Sequence, residues 1–258
     1  MNIRIAVPLE FLLAIILMGC SSVSLLELQD AETVPAGRVV WYGGLASGAD
    51  LVGLYHDSSR HLAGSFMPAI QGGGRLGLGE HVDAGAAVWT SAPIAAPATG
   101  FQAFDAGIRA GAKIMLTERR SRSRVALSVG GWLYGATNVF ATDNSADRGY
   151  GWTAGGSSAA IYSFVLNPAD SAEREGVRSL YGGLRCTLFR GDFTYGIVSD
   201  SLPDRTVGSF AGTRMGYGAL VGFSRGTAAA AEVACFVTPG LDPGTTAWAV
   251  LLGLRFAL

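Results

Sequence analysis

Charge is scarce in this sequence. Of its 258 residues only 15% are Asp, Glu, Lys or Arg, against about 25% in an ordinary soluble domain. The 19 basic and 20 acidic residues leave a net charge of −1, which argues against nucleic acid as a partner. Cysteine is scarce too, and three of them do not make a disulfide framework. After residue 20 no apolar run approaches the roughly 20 residues of a membrane helix. Metal-ligand spacings such as CxxC or HExxH are missing, so neither a metal nor a cofactor is expected. What the chain does have is 49% hydrophobic residues and 37 glycines. Apolar composition without apolar runs means hydrophobicity spread over alternating strands. Abundant glycine suits tight turns and a crowded interior.

The end of the chain, Ala247 to Leu258, reads AWAVLLGLRFAL. Trp248, Val250, Leu252, Leu254, Phe256 and Leu258 share one face, and small residues plus Arg255 share the other. Period-2 alternation is a strand. Bulk on one side, with small residues and a charge opposite, suits a strand with lipid outside and a polar lumen inside. Phe104–Thr117 repeats the pattern over a longer stretch. Phe104, Ala106, Ile108, Ala110, Ala112, Ile114 and Leu116 point out; Asp105, Gly107, Arg109, Gly111, Lys113, Met115 and Thr117 point in. Strands at 62–79, 82–89, 125–133, 179–189 and 231–237 follow the same rule. The phase of 159–166 is open, and 135–158 is the least legible part. The expected fold is all-β: a transmembrane up-and-down antiparallel β-barrel over residues 37–258, of about 12 strands.

Four short connections organise that count: Glu80-His81, Glu118–Arg124, Arg190-Gly191-Asp192 and Ser224–Thr227. Short turns belong on the periplasmic side of such barrels. Counting from both chain ends puts all four there only if residues 135–166 hold two strands. Otherwise the barrel has about 10 strands, 37–61 lies outside it, and the first two turns face outward. Residues 199–215 read as a loop.

Two resemblances to known bacterial proteins add to this reading. Gly253, Phe256 and Leu258 resemble the C-terminal sorting signal of outer-membrane barrels, although phenylalanine is commoner in the last place. That resemblance implies partnership with the barrel-assembly machinery. At the other end, Arg4 precedes the apolar stretch Phe11–Met18, and Leu17-Met18-Gly19-Cys20 resembles a lipoprotein lipobox. It implies a signal peptide over 1–19, acylation of Cys20, and a periplasmic tether over 20–36. Ser21 after the cysteine favours the outer membrane, with the anchored N-terminus facing the periplasm and outer-membrane lipids and lipopolysaccharide as partners.

The inward positions collect Arg75, Arg109, Lys113, Arg124, Arg185 and Arg255 against Asp83, Asp105 and Glu232. Bare charges in a narrow low-dielectric lumen are costly, so most should pair. The set reads as a structural network that plugs the barrel, or as a narrow anion-preferring pore. Whether a loop or the tether enters the lumen is open. Elsewhere, His56-Asp57-Ser58 resembles the His-x-Ser of outer-membrane lipid A deacylases, but no partner acid is evident and no catalytic residue is assigned. Arg119, Arg120, Arg122 and Arg124 could meet anionic headgroups or mark the membrane boundary. His61 and His81 read as surface residues, and Cys186 and Cys235 as lipid-facing. The glycines of 72–74, 77 and 79 precede no helix, which argues against a phosphate loop. The function expected is a structural or passive-pore barrel lipoprotein. The alternatives are a lipid-modifying outer-membrane enzyme and a soluble β-sandwich lipoprotein.

Overall fold

The computed structural model describes residues 22–23, 28–50, 67–90, 94–96, 101–142, 145–166, 178–199, 202–226, 228–239 and 246–258. They form β1 (Ser22–Val23), β2 (Val39–Asp50), β3 (Met67–Gly77), β4 (Val82–Thr90), β5 (Ile94–Ala96), β6 (Phe101–Met115), β7 (Ser123–Thr142), β8 (Ser145–Val165), β9 (Ser179–Ser199), β10 (Leu202–Ser224), β11 (Ala229–Pro239) and β12 (Thr246–Ala257). Each wall strand pairs antiparallel with the next, and β12 closes back on β2. Among the described residues this makes a closed all-β barrel of ten strands. β1 pairs with the end of β2, and β5 with the start of β6.

The count is ten rather than twelve, and the difference has physical causes. Arg190-Gly191-Asp192 is no turn. Cross-strand pairing runs unbroken from Ser179↔Ser224 to Phe193↔Phe210, with Gly191 between Thr153 and Gly212. The stretch read as a loop over 199–215 is most of β10, and the illegible region 135–158 is the hairpin of β7 and β8. These four neighbours, β7 to β10, have 20, 21, 21 and 23 residues, while about 9–11 cross a bilayer. Beyond that length no apolar face is needed, so the alternation that marks a spanning strand fades there. β2 also belongs to the wall, pairing with β3 from Val39↔Leu76 to Gly48↔Met67. The ten-strand alternative had left that segment outside.

One end of the barrel, the near mouth, gathers the tight connections between β3 and β4, β6 and β7, and β10 and β11, together with the C-terminus. Leu258 N reaches Trp41 O there at 3.0 Å. The far mouth lies at the other end of every strand. The closing seam is the shortest stretch of wall, running only from Gly253↔Ala46 to Ala257↔Tyr42.

Candidate functional site: a lumen closed from within

Outward positions carry bulk and leave it uncovered. Leu184 is 70% exposed, and Ile108, Val129, Leu133, Leu188, Val221 and Phe256 are each more than half exposed. The partners of these residues along each strand turn inward: Lys113, Met115, Tyr181, Thr187, Glu232 and Leu251 are all buried. The phase of β8 hides in sequence because both of its sides are apolar. Tyr162 and Phe164 point out, while Ile161 and Val165 point in.

The near mouth is filled by a segment from before the first wall strand. Leu28, Gln29, Asp30, Ala31, Thr33 and Val34 are each at most 5% exposed. They contact inward residues all round the wall. Leu28 N donates to Glu232 Oε2 at 2.7 Å, Ala31 N to Ser163 Oγ at 2.8 Å, and Val34 N to Asp83 Oδ2 at 2.9 Å. Asp30 Oδ2 accepts from Ser179 Oγ at 2.8 Å and also from Ser224 Oγ. Lys113 Nζ donates to Asp30 O at 2.9 Å and to Glu32 O. Such buried charge-assisted bonds contribute about 1.5–3 kcal/mol each. Ala36 then bridges to Gly77 in parallel register. A Cβ at Gly77 would stand 2.0 Å from Pro35 O, so only glycine lets the segment lie this close to the wall.

Wall charges complete this ionic layer. Asp83, fully buried, pairs with Arg75 and lies 3.9 Å from Lys113 Nζ. Glu232 Oε2 also accepts from Tyr181 Oη at 3.1 Å. Arg255 spreads over the Tyr42 ring, 5.7 Å from its centroid, and donates to Gly226 O. The arginine run between β6 and β7 divides. Arg124 pairs with Glu32 at 3.0 Å and Arg119 donates to Thr33 O at 3.0 Å, whereas Arg120 and Arg122 are exposed.

Deeper in the lumen the chemistry changes. Trp89 stacks on Tyr134 with centroids 6.2 Å apart, and Phe189 bridges Trp132 and Phe236 at 6.3 Å each. Glycines make the room. A Cβ at Gly107 would meet the Trp89 ring at 2.1 Å, and one at Gly216 the Phe236 ring at 2.1 Å. A small cavity lies between the layers, walled by Arg75, Arg109, Arg185, Arg255, Tyr42 and Trp132.

No protein family model matches this chain, and no curated protein matches it. Solved structures do. The translocator domain of the autotransporter NalP from Neisseria meningitidis is similar over 88% of this chain and 91% of its own, at 12% identity and a TM-score of 0.39. The outer membrane protease OmpT from Escherichia coli is similar over 86% of this chain and 94% of its own, at 10% identity and a TM-score of 0.38. Both are outer-membrane β-barrels.

The structure thus brings Arg75, Asp83 and Lys113 together in one cluster, sets Arg124 and Glu232 against the N-terminal segment, and gathers Arg109, Arg185 and Arg255 around the cavity. The side chain of Asp105 lies outside the described residues, as do Cys20, the signal peptide, His56-Asp57-Ser58 and His61. Gly253 faces the lumen, with Phe256 and Leu258 exposed outside. Asp30, Glu32, Ser163, Ser179 and Ser224 were missed by sequence reasoning. A signal for the first two was present: residues 22–36 carry Glu27, Asp30 and Glu32 and no base, which suits a lumen with three more cations than acids.

Proposed function

We propose that this chain is an outer-membrane β-barrel lipoprotein of structural type, whose lumen its own N-terminal segment closes. The observation that carries this is the burial of residues 28–31, 33 and 34 inside a wall whose outer face is uncovered hydrocarbon. A soluble sandwich would turn that bulk toward a second sheet; a spanning barrel turns it toward lipid. The short-turn end then faces the periplasm, and Arg120 and Arg122 meet anionic headgroups on that side. Cys20 carries the lipid, and the Gly253, Phe256, Leu258 pattern engages the assembly machinery. The far mouth shares its leaflet with lipopolysaccharide.

A second reading rests on the arginine-walled cavity. With the segment withdrawn, Arg109, Arg185 and Arg255 would line an anion-preferring path. Planar-bilayer recording separates the two. The full mature chain should give no steady conductance, and a variant lacking residues 22–37 should conduct with anion preference. Steady conductance by the full chain would show that the seal does not exist. Recovery of the mature chain as a monodisperse species without detergent would remove the barrel from the membrane altogether.

A further inference from the structure

We infer that residues 22–36 are threaded down the lumen from the far mouth, so that the chain enters its own barrel at the end opposite its C-terminus. Three anchor points define the path. Ser22 and Val23 pair with Asp50 and Ala49, at the far end of β2. Leu28 N lies on Glu232, inside the wall. Ala36 lies beside Gly77, at the near mouth.

The direction of travel agrees at both ends. β2 ascends from the near mouth, and β1 runs antiparallel to it. β3 descends toward the near mouth, and Ala36 runs parallel to its end. The lengths agree as well. Glu232, through Gly253, is in register with Ala46 of β2, about 10 Å from Ala49 toward the near mouth at 3.3 Å per residue. The steps from Val23 to Leu28 can reach about 17 Å when extended, enough for that descent. Residues 28–36 then cross the near mouth from Glu232 to Gly77. The segment's composition also fits: Asp30 and Glu32 meet a wall that presents Arg75, Lys113, Arg124, Arg185 and Arg255.

Threading changes where the lipid would go. Cys20 is two residues before Ser22, within about 7 Å of it along the chain. An acyl group there belongs to the leaflet at the far mouth, not to the leaflet beside the short turns where a periplasmic tether would hold it. On the proposed orientation, which this inference takes over from the plugged-barrel reading, that is the outer surface of the cell.

A cross-link tests the path. Directly opposed residues of an antiparallel pair have Cα atoms about 4.5–5.5 Å apart, within disulfide range. In a Cys186→Ala, Cys235→Ala background, Val23→Cys with Ala49→Cys should link on addition of an oxidant, identified by peptide mass. Val23→Cys with Arg38→Cys should not. A heat-modifiable, folded barrel in which Val23→Cys fails to link to position 49, or links to position 38, overturns the threading. On whole cells, Ser22→Cys should react with a membrane-impermeant maleimide, and Arg38→Cys only after the outer membrane is permeabilised. Reaction of Ser22→Cys only after permeabilisation would overturn the surface location. Conductance by the full chain alongside a 23–49 link would sink the seal and leave the path standing.

Discussion

The two layers of the lumen are built from inward positions of the same strands, yet they are filled in opposite ways. In the ionic layer the wall supplies cations and serines, and a separate segment supplies much of the acid and the backbone that satisfies them. In the aromatic layer the wall fills itself. Trp89, Trp132, Phe189 and Phe236 reach across, and Gly107, Gly155 and Gly216 recede to let them. The first layer therefore depends on the N-terminal chain being in place, and the second does not. A barrel of ten strands is wider than the eight-stranded kind that side chains alone fill. Large rings over glycine close part of that gap, and the inserted segment closes the rest.

The largest effect should come from the centre of the ionic layer. Asp83→Asn keeps the shape but leaves Arg75 and Lys113 without their carboxylate, with Lys113 only 2% exposed. Removing one partner from a buried charge cluster costs about 3–5 kcal/mol. The urea midpoint of the folded, heat-modifiable band in detergent should fall accordingly. A loss under about 1 kcal/mol would mean that water reaches this layer and screens it. Next comes the outer face, against which both layers are defined. Leu184→Arg should cost about 2–4 kcal/mol if position 184 meets the bilayer midplane, read from folding equilibria in lipid vesicles. A neutral result would place water on that face.

The aromatic layer is tested by two glycines on one strand. Gly216→Val drives a side chain into the Phe236 ring, whereas Gly212 has nothing within 4 Å of its would-be Cβ. Overpacking costs about 1–3 kcal/mol, so Gly216→Val should destabilise by that much and Gly212→Val by little. Equal effects would show that strand propensity, and not the ring, sets the cost.

These contrasts also mark what could be read from residues alone. β6 and β12 were legible because their strands lie mostly within the apolar belt, where lipid demands alternation. Arg109 beside Ala110, and Arg255 beside Leu254, settle the phase. The upper parts of β7 to β10 carry no such demand, so Gly191 and the polar start of β10 imitated a turn and a loop. The aromatic layer was illegible for a different reason. Inward bulk at Trp89 and Trp132 is tolerable only opposite Gly107 and Gly155, and that pairing depends on register across strands. The seal was half visible, as an acid-bearing stretch before the first strand and a lumen short of acid. What the chain could not show was that the two meet.

The smallest predicted effect sharpens where the seal ends. Glu32 lies at its rim, 3.0 Å from Arg124 and 4.0 Å from Arg119, with its side chain 20% exposed and theirs 12% and 33%. At such a half-wet position an ion pair is worth about 0.2–1 kcal/mol. Glu32→Gln should therefore cost no more than that, and the cost should shrink as salt rises from about 0.1 M to 1 M, where the screening length falls from about 10 Å to 3 Å. Asp83→Asn should keep nearly its whole cost over the same range, because buried pairs are screened much less. If both substitutions lose their effect in salt, the ionic layer is open to solvent throughout, and the burial of residues 28–31, 33 and 34 is not a seal. If neither does, the dry region extends outward to Glu32, and the turn that carries Arg119 belongs to the plug as much as to the wall.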